Sequence, residues 1–191
     1  HLLLEAKENK LLSLAIDIAA ILEQRDPLPN SAGTDINLRI EAFRRSRQNS
    51  SKNNFHNFRN IDKLAQSWYK RFRISASNQA VIQSETGFLL SLAYPERIAK
   101  HKNGTQYQLA NNRTASLFPQ DNLINEQWLA IGAMNIGKND GQIFLASPID
   151  PTDLPTTKHK VLKWNKTKGE LIAQTEVRVG DILLKATKTI I

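Results

Sequence analysis

Basic side chains crowd around one aromatic residue near the middle of the chain. Arg97, Lys100, Lys102 and Arg113 lie on both sides of Tyr107. Cations that follow a phosphate backbone, beside an exposed aromatic ring on which a base can stack, are typical of surfaces that hold single-stranded nucleic acid. The alternative is that Tyr107 packs inward and the four cations are ordinary surface residues.

A second concentration of positive charge precedes this stretch. Between Arg39 and Arg73, ten lysines and arginines stand against two carboxylates, which accounts for the whole net charge of +8. A block this localised is the footprint of a surface that meets phosphates, and Arg59 and Lys63 are its candidate contacts. A solvated helical face is the alternative. The ten cations are Arg39, Arg44, Arg45, Arg47, Lys52, Arg59, Lys63, Lys70, Arg71 and Arg73.

Groups that could do covalent or metal chemistry are scarce. The chain has no cysteine, and its four histidines lack the spacing of metal ligands. Gly132 to Lys138 matches the spacing of a phosphate-binding loop. However, Asn139 follows where a serine or threonine would hold magnesium. Asp150 and Asp153 are more simply interpreted as solvated or capping groups. We therefore predict no catalytic residue and no metal site.

Apolar residues recur with the helical period in the first half of the chain. The third helix carries aromatic residues on one side, and their strict spacing favours a core role over base stacking. The first predicted helix runs for about 16 residues from Leu11 and stops at Asp26-Pro27. The second follows a cap at Thr34 or Asp35. The third runs from Phe55 to Arg73, and the fourth from about Ser77 to Ala93.

After Gly104 the apolar period changes to two. Short strands separated by turns, without enough helix for crossovers, predict an antiparallel barrel or sandwich. A five- or six-stranded barrel of the oligonucleotide-binding type fits the length. The predicted strands are Tyr107–Ala110, Ala115–Phe118, Trp128–Met134, Gln142–Ser147, Val161–Asn165, Leu171–Val177 and Asp181–Ala186.

Four segments of the chain match the motifs of a known family, in the family's order. They are residues 22–28 (LEQRDPL), 34–42 (TDINLRIEA), 92–99 with 107–115 (LAYPERIA and YQLANNRTA), and 143–150 (IFLASPID). Together they resemble the region that follows the motor domains in HrpB-type ATP-dependent helicases of the bacterial DEAH-box group. Asn112 stands where that family has glycine, and asparagine tolerates the left-handed geometry of a tight turn.

The resemblance implies an α+β fold in two parts. Residues 1–93 would form a helical helicase-associated subdomain, and residues 94–191 a small antiparallel β-barrel of the oligonucleotide-binding type. The chain begins at His1 rather than methionine, so we expect a fragment of a longer protein. The expected partners are single-stranded RNA or DNA and the motor domains of the same protein, in the cytoplasm and away from membranes.

The resemblance also assigns the chemistry elsewhere. The ATP-binding lysine, the DEAH box and the arginine finger belong to the motor domains, so ATP and magnesium would bind there and the fragment would hold no cofactor. The parent would be an ATP hydrolase, and this part of it would not be catalytic. From the pattern of charges and the aromatic residue, rather than from the resemblance, the candidate nucleic-acid contacts are Arg59, Lys63, Arg97, Lys100, Lys102, Tyr107 and Arg113.

Two other classes of function stay open at this point. The chain could be a docking module that packs on the motor domains or on an acidic partner, and an exposed apolar patch on the barrel would favour this. A free-standing enzyme is the third class, and the missing catalytic spacing argues against it.

Overall fold

The computed structural model describes residues 2–3, 6, 11–48, 56–135, 137, 140–165 and 169–188. Within these residues helices precede strands, which confirms the predicted α+β order. The α-helices in the described part from residue 11 onward are α1 (Leu12–Leu22), α2 (Ile36–Gln48), α3 (Arg59–Phe72) and α4 (Gln83–Ala93). The strands are β1 (Ile98–Asn103), β2 (Gln106–Leu109), β3 (Thr114–Ser116), β4 (Trp128–Met134), β5 (Gly141–Pro148), β6 (Thr157–Asn165), β7 (Glu170–Val179) and β8 (Ile182–Lys188).

The helix ends follow local chemistry at two places and tertiary contacts at a third. Asp35 caps α2, because its Oδ1 accepts a hydrogen bond from the backbone N–H of Asn37 at 2.9 Å. Arg73 ends α3 in a left-handed conformation (φ 56°). Phe55, the predicted start of the third helix, lies outside the described residues.

The fourth helix begins later than predicted, at Gln83 rather than near Ser77. The segment before it makes its hydrogen bonds with other parts of the chain. The backbone N–H of Ser77 donates to Ser13 Oγ at 2.9 Å, and the carbonyl oxygen of Gln79 accepts from Arg44 Nη1 at 2.8 Å. These bonds replace the helical ladder that the local sequence could otherwise form.

A buried carboxylate joins three of the helices. Asp17 of α1 is fully buried and accepts hydrogen bonds from Arg44 Nε (2.9 Å) and Arg47 Nη2 (2.8 Å) of α2. Tyr69 of α3 donates its hydroxyl to the same carboxylate at 2.8 Å. A charge is tolerated in a protein interior only when it is paired and hydrogen-bonded. This cluster therefore fixes how α1, α2 and α3 pack.

The first five strands close into a barrel in the order β1-β2-β3-β5-β4. The small barrel predicted after the helices is confirmed. Its neighbours are antiparallel except β3 and β5, which pair in parallel with Ala115 opposite Gly141. β1 is not among the predicted strands, because Lys100-His101-Lys102 has the polarity of a loop. The barrel interior consists of Ala99, Tyr107, Leu109, Ala115, Leu117, Leu123, Leu129, Ile131, Ile143 and Ala146.

The last three strands form a separate antiparallel sheet in the order β6-β7-β8. The sequence predicts strands near these positions but assigns them to the barrel. The first five strands already close the barrel through the pairing of β3 with β5, so the last three form a sheet of their own. Gly180, in the turn after β7, sits against the barrel at φ +53°, where a Cβ would lie 2.3 Å from the carbonyl oxygen of Ala110. The backbone N–H of Asp181 donates to the same oxygen at 2.7 Å. The turn thus ties this sheet to the barrel.

Polar contacts join the helices to the barrel. Thr34 donates to Asp121 through its backbone N–H and its hydroxyl, both at 2.9 Å, and its carbonyl accepts from Ala146 N–H at 2.9 Å. Asn37 Nδ2 donates to Ser147 Oγ at 2.9 Å. One apolar cluster includes residues of the helices and of the strands. The division into residues 1–93 and 94–191 stays a prediction.

Removing the buried carboxylate should destabilise the protein. In Asp17→Ala, Arg44 and Arg47 are left buried without their counter-ion, so we expect a loss of about 3–5 kcal/mol in the free energy of unfolding. Urea denaturation followed by circular dichroism measures it. Glu41→Ala removes an exposed carboxylate from α2 and should change stability by less than about 0.5 kcal/mol. Equal effects of the two substitutions would contradict the structural role of Asp17.

A second buried carboxylate should make stability depend on pH. Lys163 Nζ (2.6 Å) and Arg178 Nη2 (2.7 Å) lower the pKa of Glu176 from 4.5 to about 2. The folded pKa lies below the unfolded one, so the contribution is complete above about pH 4.5 and is lost as the pH falls through 2. Denaturation across this range should bring wild type and Glu176→Gln together at the acid end. Lys163→Gln should move the loss to higher pH. Parallel profiles for wild type and Glu176→Gln would refute the prediction.

Candidate nucleic-acid interface

The two candidate contacts on the helices lie on the solvent side of α3. Ile61, Ala65 and Tyr69 are the buried residues of this helix, whereas Arg59 and Lys63 are exposed. Residues four apart on a helix share a face, so the two cations point to the same side. The helix itself packs on α1. Arg59 and Lys63 therefore belong to the helical part of the surface.

Arg97 is held in place by the protein. Its guanidinium lies 4.5 Å from the centroid of the Tyr94 ring, and its Nη1 donates to the carbonyl oxygen of Gly132 at 3.3 Å. Glu96 Oε1 lies 3.3 Å from its Nε. The side chain is 31% exposed, so part of it is open to solvent. These three contacts orient the Arg97 side chain.

The cations around β1 lie on neighbouring strands of the barrel. Gln108 of β2 is opposite Lys100 of β1 and Thr114 of β3, and Arg113 immediately precedes Thr114 in the turn. Lys102 follows Lys100 by two residues, and the register of β1 against β2 shifts between His101 and Asn103, so Lys102 lies in a β-bulge. Lys102 and Arg113 are exposed, and Lys100 is half-buried with its Nζ 5.5 Å from the Trp128 ring centroid. In the strand register, Lys102 lies near the β1–β2 turn, Arg113 lies in the β2–β3 turn at the other end of β2, and Lys100 lies between these two levels.

The prediction that Tyr107 is an exposed stacking residue is wrong. Its side chain is fully buried in the barrel, and its hydroxyl donates to the carbonyl oxygens of Glu126 (2.8 Å) and Leu123 (3.0 Å). Burial, together with the nearby charges of Glu126 and Asp121, raises the pKa of the phenol to about 12. The aromatic ring fills the core while the polar tip satisfies backbone acceptors. The inward-packing alternative is the correct one.

The basic block of residues 39–73 is only partly a surface. Arg44 and Arg47 are paired with buried Asp17, and Arg39, 1% exposed, binds Asp26 at 2.9 Å. These three arginines neutralise carboxylates inside the protein, so the predicted phosphate-facing block is reduced. Lys52 lies outside the described residues. The exposed members are Arg45, Arg59, Lys63, Lys70, Arg71 and Arg73.

The carboxylates considered for catalysis have ordinary structural surroundings. Asp150 Oδ1 accepts from the backbone N–H (2.8 Å) and hydroxyl (2.6 Å) of Thr152, which lowers the pKa of the carboxyl. It caps the short 3-10 turn Pro151–Asp153, as the capping interpretation expects. In the described part of the chain, no three histidine or acidic residues come together as a metal site. No helix there combines the length and hydrophobicity needed to span a bilayer.

One exposed surface lies outside the predicted site residues. The hairpin of β6 and β7 carries exposed Leu162, Trp164 and Leu171, and lysines alternate with the apolar residues along β6. The signal in the sequence is the two-residue spacing of Lys158, Lys160, Leu162 and Trp164. The sequence predicts this region only as one more strand of the barrel.

A conservative change at Tyr107 separates its structural role from a binding role. In Tyr107→Phe the two backbone carbonyls lose their donor, so we expect the free energy of unfolding to fall by about 1–3 kcal/mol. The affinity for single-stranded RNA, measured by fluorescence anisotropy in buffer without denaturant, should be the same as that of the unmodified chain. Tyr94→Phe keeps the ring beneath Arg97 and should leave both properties as they are. Loss of RNA affinity in Tyr107→Phe with normal stability would contradict the buried assignment.

The comparisons with known proteins match solved structures only. No protein-family profile matches the chain, and no curated protein does. Over its whole length the chain is similar to Escherichia coli HrpB described as a DExH-box NTPase, with 23% identity and a TM-score of 0.75. A second structure, described as the Escherichia coli DEAH/RHA helicase HrpB, matches 98% of the chain with 21% identity and a TM-score of 0.76. The chain spans 22% of each. The predicted resemblance is thus confirmed at the level of the fold, which this chain shares with part of HrpB.

Proposed function

We propose that this chain is an accessory region of an ATP-dependent helicase of the HrpB type. The observation that carries the proposal is the match itself, because the whole chain aligns with only 22% of the solved HrpB chain. The remaining length of such a protein would contain the motor domains, with ATP and magnesium bound there. Such a helicase would work in the cytoplasm, and this region alone would not hydrolyse ATP.

The accessory region would hold single-stranded RNA or DNA for the motor domains. Lys102 and Arg113 support this, because both are exposed; Lys102 follows Lys100 on β1, and Arg113 lies in the turn before β3. Arg97 is already oriented by Tyr94 and Gly132, which reduces the entropy that a phosphate contact would cost. Arg59 and Lys63 would extend the contact to the helices. Binding through phosphates would have little sequence preference.

A docking role on the motor domains is the second candidate. Phe118 and Phe144 are 46% and 43% exposed, and their ring centroids lie 6.3 Å apart on the barrel. An exposed pair of aromatic rings is a feature of protein-protein contacts. Both functions can belong to one region, since the cations and this pair are separate groups of residues.

Binding of a labelled single-stranded RNA should reveal the proposed cationic surface. We expect fluorescence anisotropy to report binding that weakens steeply with salt, because counterions are released from the strand. The variant Lys100→Gln/Lys102→Gln/Arg113→Gln should bind more weakly, with a salt slope reduced by about 2. A DNA strand of the same sequence tests the choice between RNA and DNA.

The control for charge alone is Lys70→Gln/Arg71→Gln/Arg73→Gln, at exposed cations near the end of α3 that are not candidate contacts. It should retain most of the affinity. If both variants lose affinity equally, binding is a general effect of net charge and the assignment fails. If the unmodified chain binds no strand at low salt, the docking role is favoured instead.

A further inference from the structure

The β6–β7 hairpin exposes its aromatic residue to solvent. Trp164 is 60% exposed, whereas Trp128 is buried and Trp68 is half-buried. Leu171 of β7 lies opposite Trp164 in the strand register and is 59% exposed. Leu162 is 66% exposed and points to the same face as Trp164, two residues away. This surface has no cover within the described part of the protein.

Lysines continue the same face away from the aromatic end. Side chains alternate along a strand, so Lys158 and Lys160 share the face of Leu162 and Trp164. Val177 of β7 is opposite both Lys158 of β6 and Lys185 of β8, which places Lys185 in the same row. We call Lys158, Lys160, Leu162, Trp164, Leu171 and Lys185 the hairpin face.

The hairpin face is positive and has no compensating carboxylate in the described strands. Glu170 is opposite Asn165 and Glu176 is opposite His159, so both project from the other side of the sheet. Glu176 also forms ion pairs with Lys163 and Arg178, so its charge is already neutralised. Lys158, Lys160 and Lys185 form no ion pair with a described acidic residue. Their charges are therefore available to a ligand.

The arrangement suits a strand of nucleic acid better than a second copy of the chain. Two copies meeting through this face would bring three lysines of each against one another, which is repulsive. A single strand offers phosphates to lysines and bases to an indole ring, and stacking on an aromatic side chain is tolerant of sequence. From Lys158 to Trp164 the strand extends about 20 Å, enough for a short binding site.

We propose that the hairpin face is a second contact surface for single-stranded nucleic acid, with Trp164 stacking on a base and Lys158, Lys160 and Lys185 contacting phosphates. This inference rests on the proposed function in one respect, which is that the ligand is single-stranded nucleic acid. Its residues are separate from Arg97, Lys100, Lys102 and Arg113. The barrel and the β6–β8 sheet would then both contact the strand that the region holds.

The test is anisotropy of a labelled oligouridine about 16 nucleotides long, titrated with the whole chain at several salt concentrations. Trp164→Ala should weaken binding about fivefold or more, and Trp164→Phe should recover part of the loss because its ring still stacks. Lys158→Gln/Lys160→Gln/Lys185→Gln should reduce the salt slope by about 2. Ile82→Ala is the control, because Ile82 is a similarly exposed apolar residue (54%) just before α4 and outside the hairpin face; this variant should bind as the unmodified chain does.

The outcomes separate this inference from the proposed function. If the hairpin variants bind normally while Lys100→Gln/Lys102→Gln/Arg113→Gln binds weakly, the hairpin face is not a contact and the proposed function stands. The reverse result supports the hairpin face and removes the barrel cations from the site. If Ile82→Ala loses as much affinity as Trp164→Ala, the loss is not specific to the hairpin face and the inference is wrong. Absence of any binding by the unmodified chain overturns both proposals.

Discussion

The packing of the helices depends on one buried carboxylate. Asp17 needs counter-charges because no water surrounds it, and Arg44 and Arg47 of α2 provide them while Tyr69 of α3 donates a hydrogen bond. The guanidinium carbon of Arg47 also lies 4.4 Å from the centroid of the buried Phe43 ring, so the same side chain makes a cation–π contact with the apolar core. Because Arg44 and Arg47 pair with Asp17, these two cations of the basic block of residues 39–73 are buried rather than exposed. What remains for a ligand is determined by which cations the fold leaves unpaired.

The motifs that identified the fold are mostly structural. Asp26 of the first segment binds Arg39 of the second, and Thr34 and Asn37 of the second bond to Ala146 and Ser147 of the fourth. These contacts explain why segments far apart in the chain match together, since each keeps another in place. Function would then depend on exposed residues that the motifs hold in position.

Local patterns in the sequence predicted the elements well and their assembly less well. The period-two alternation gave β4 its observed bounds, Trp128–Met134, and Asn112 does adopt the left-handed conformation predicted for it, at φ 64°. The inward orientation of Tyr107 depends on acceptors 16 to 19 residues away. The pairing of Arg44 with Asp17 crosses 27 residues. Such long-range partners have no signature in spacing, so the exposed cations could not be told from the buried ones.

The central claim is that strand binding uses particular exposed cations rather than the net charge of +8. Acylation of lysine amines, read by mass spectrometry with and without a saturating single-stranded RNA, tests it at every lysine in one experiment. The account predicts that the strand protects Lys100 and Lys102 on β1 and leaves Lys70 on α3 reactive. Equal protection of all three lysines, or protection of Lys70 alone, would contradict it.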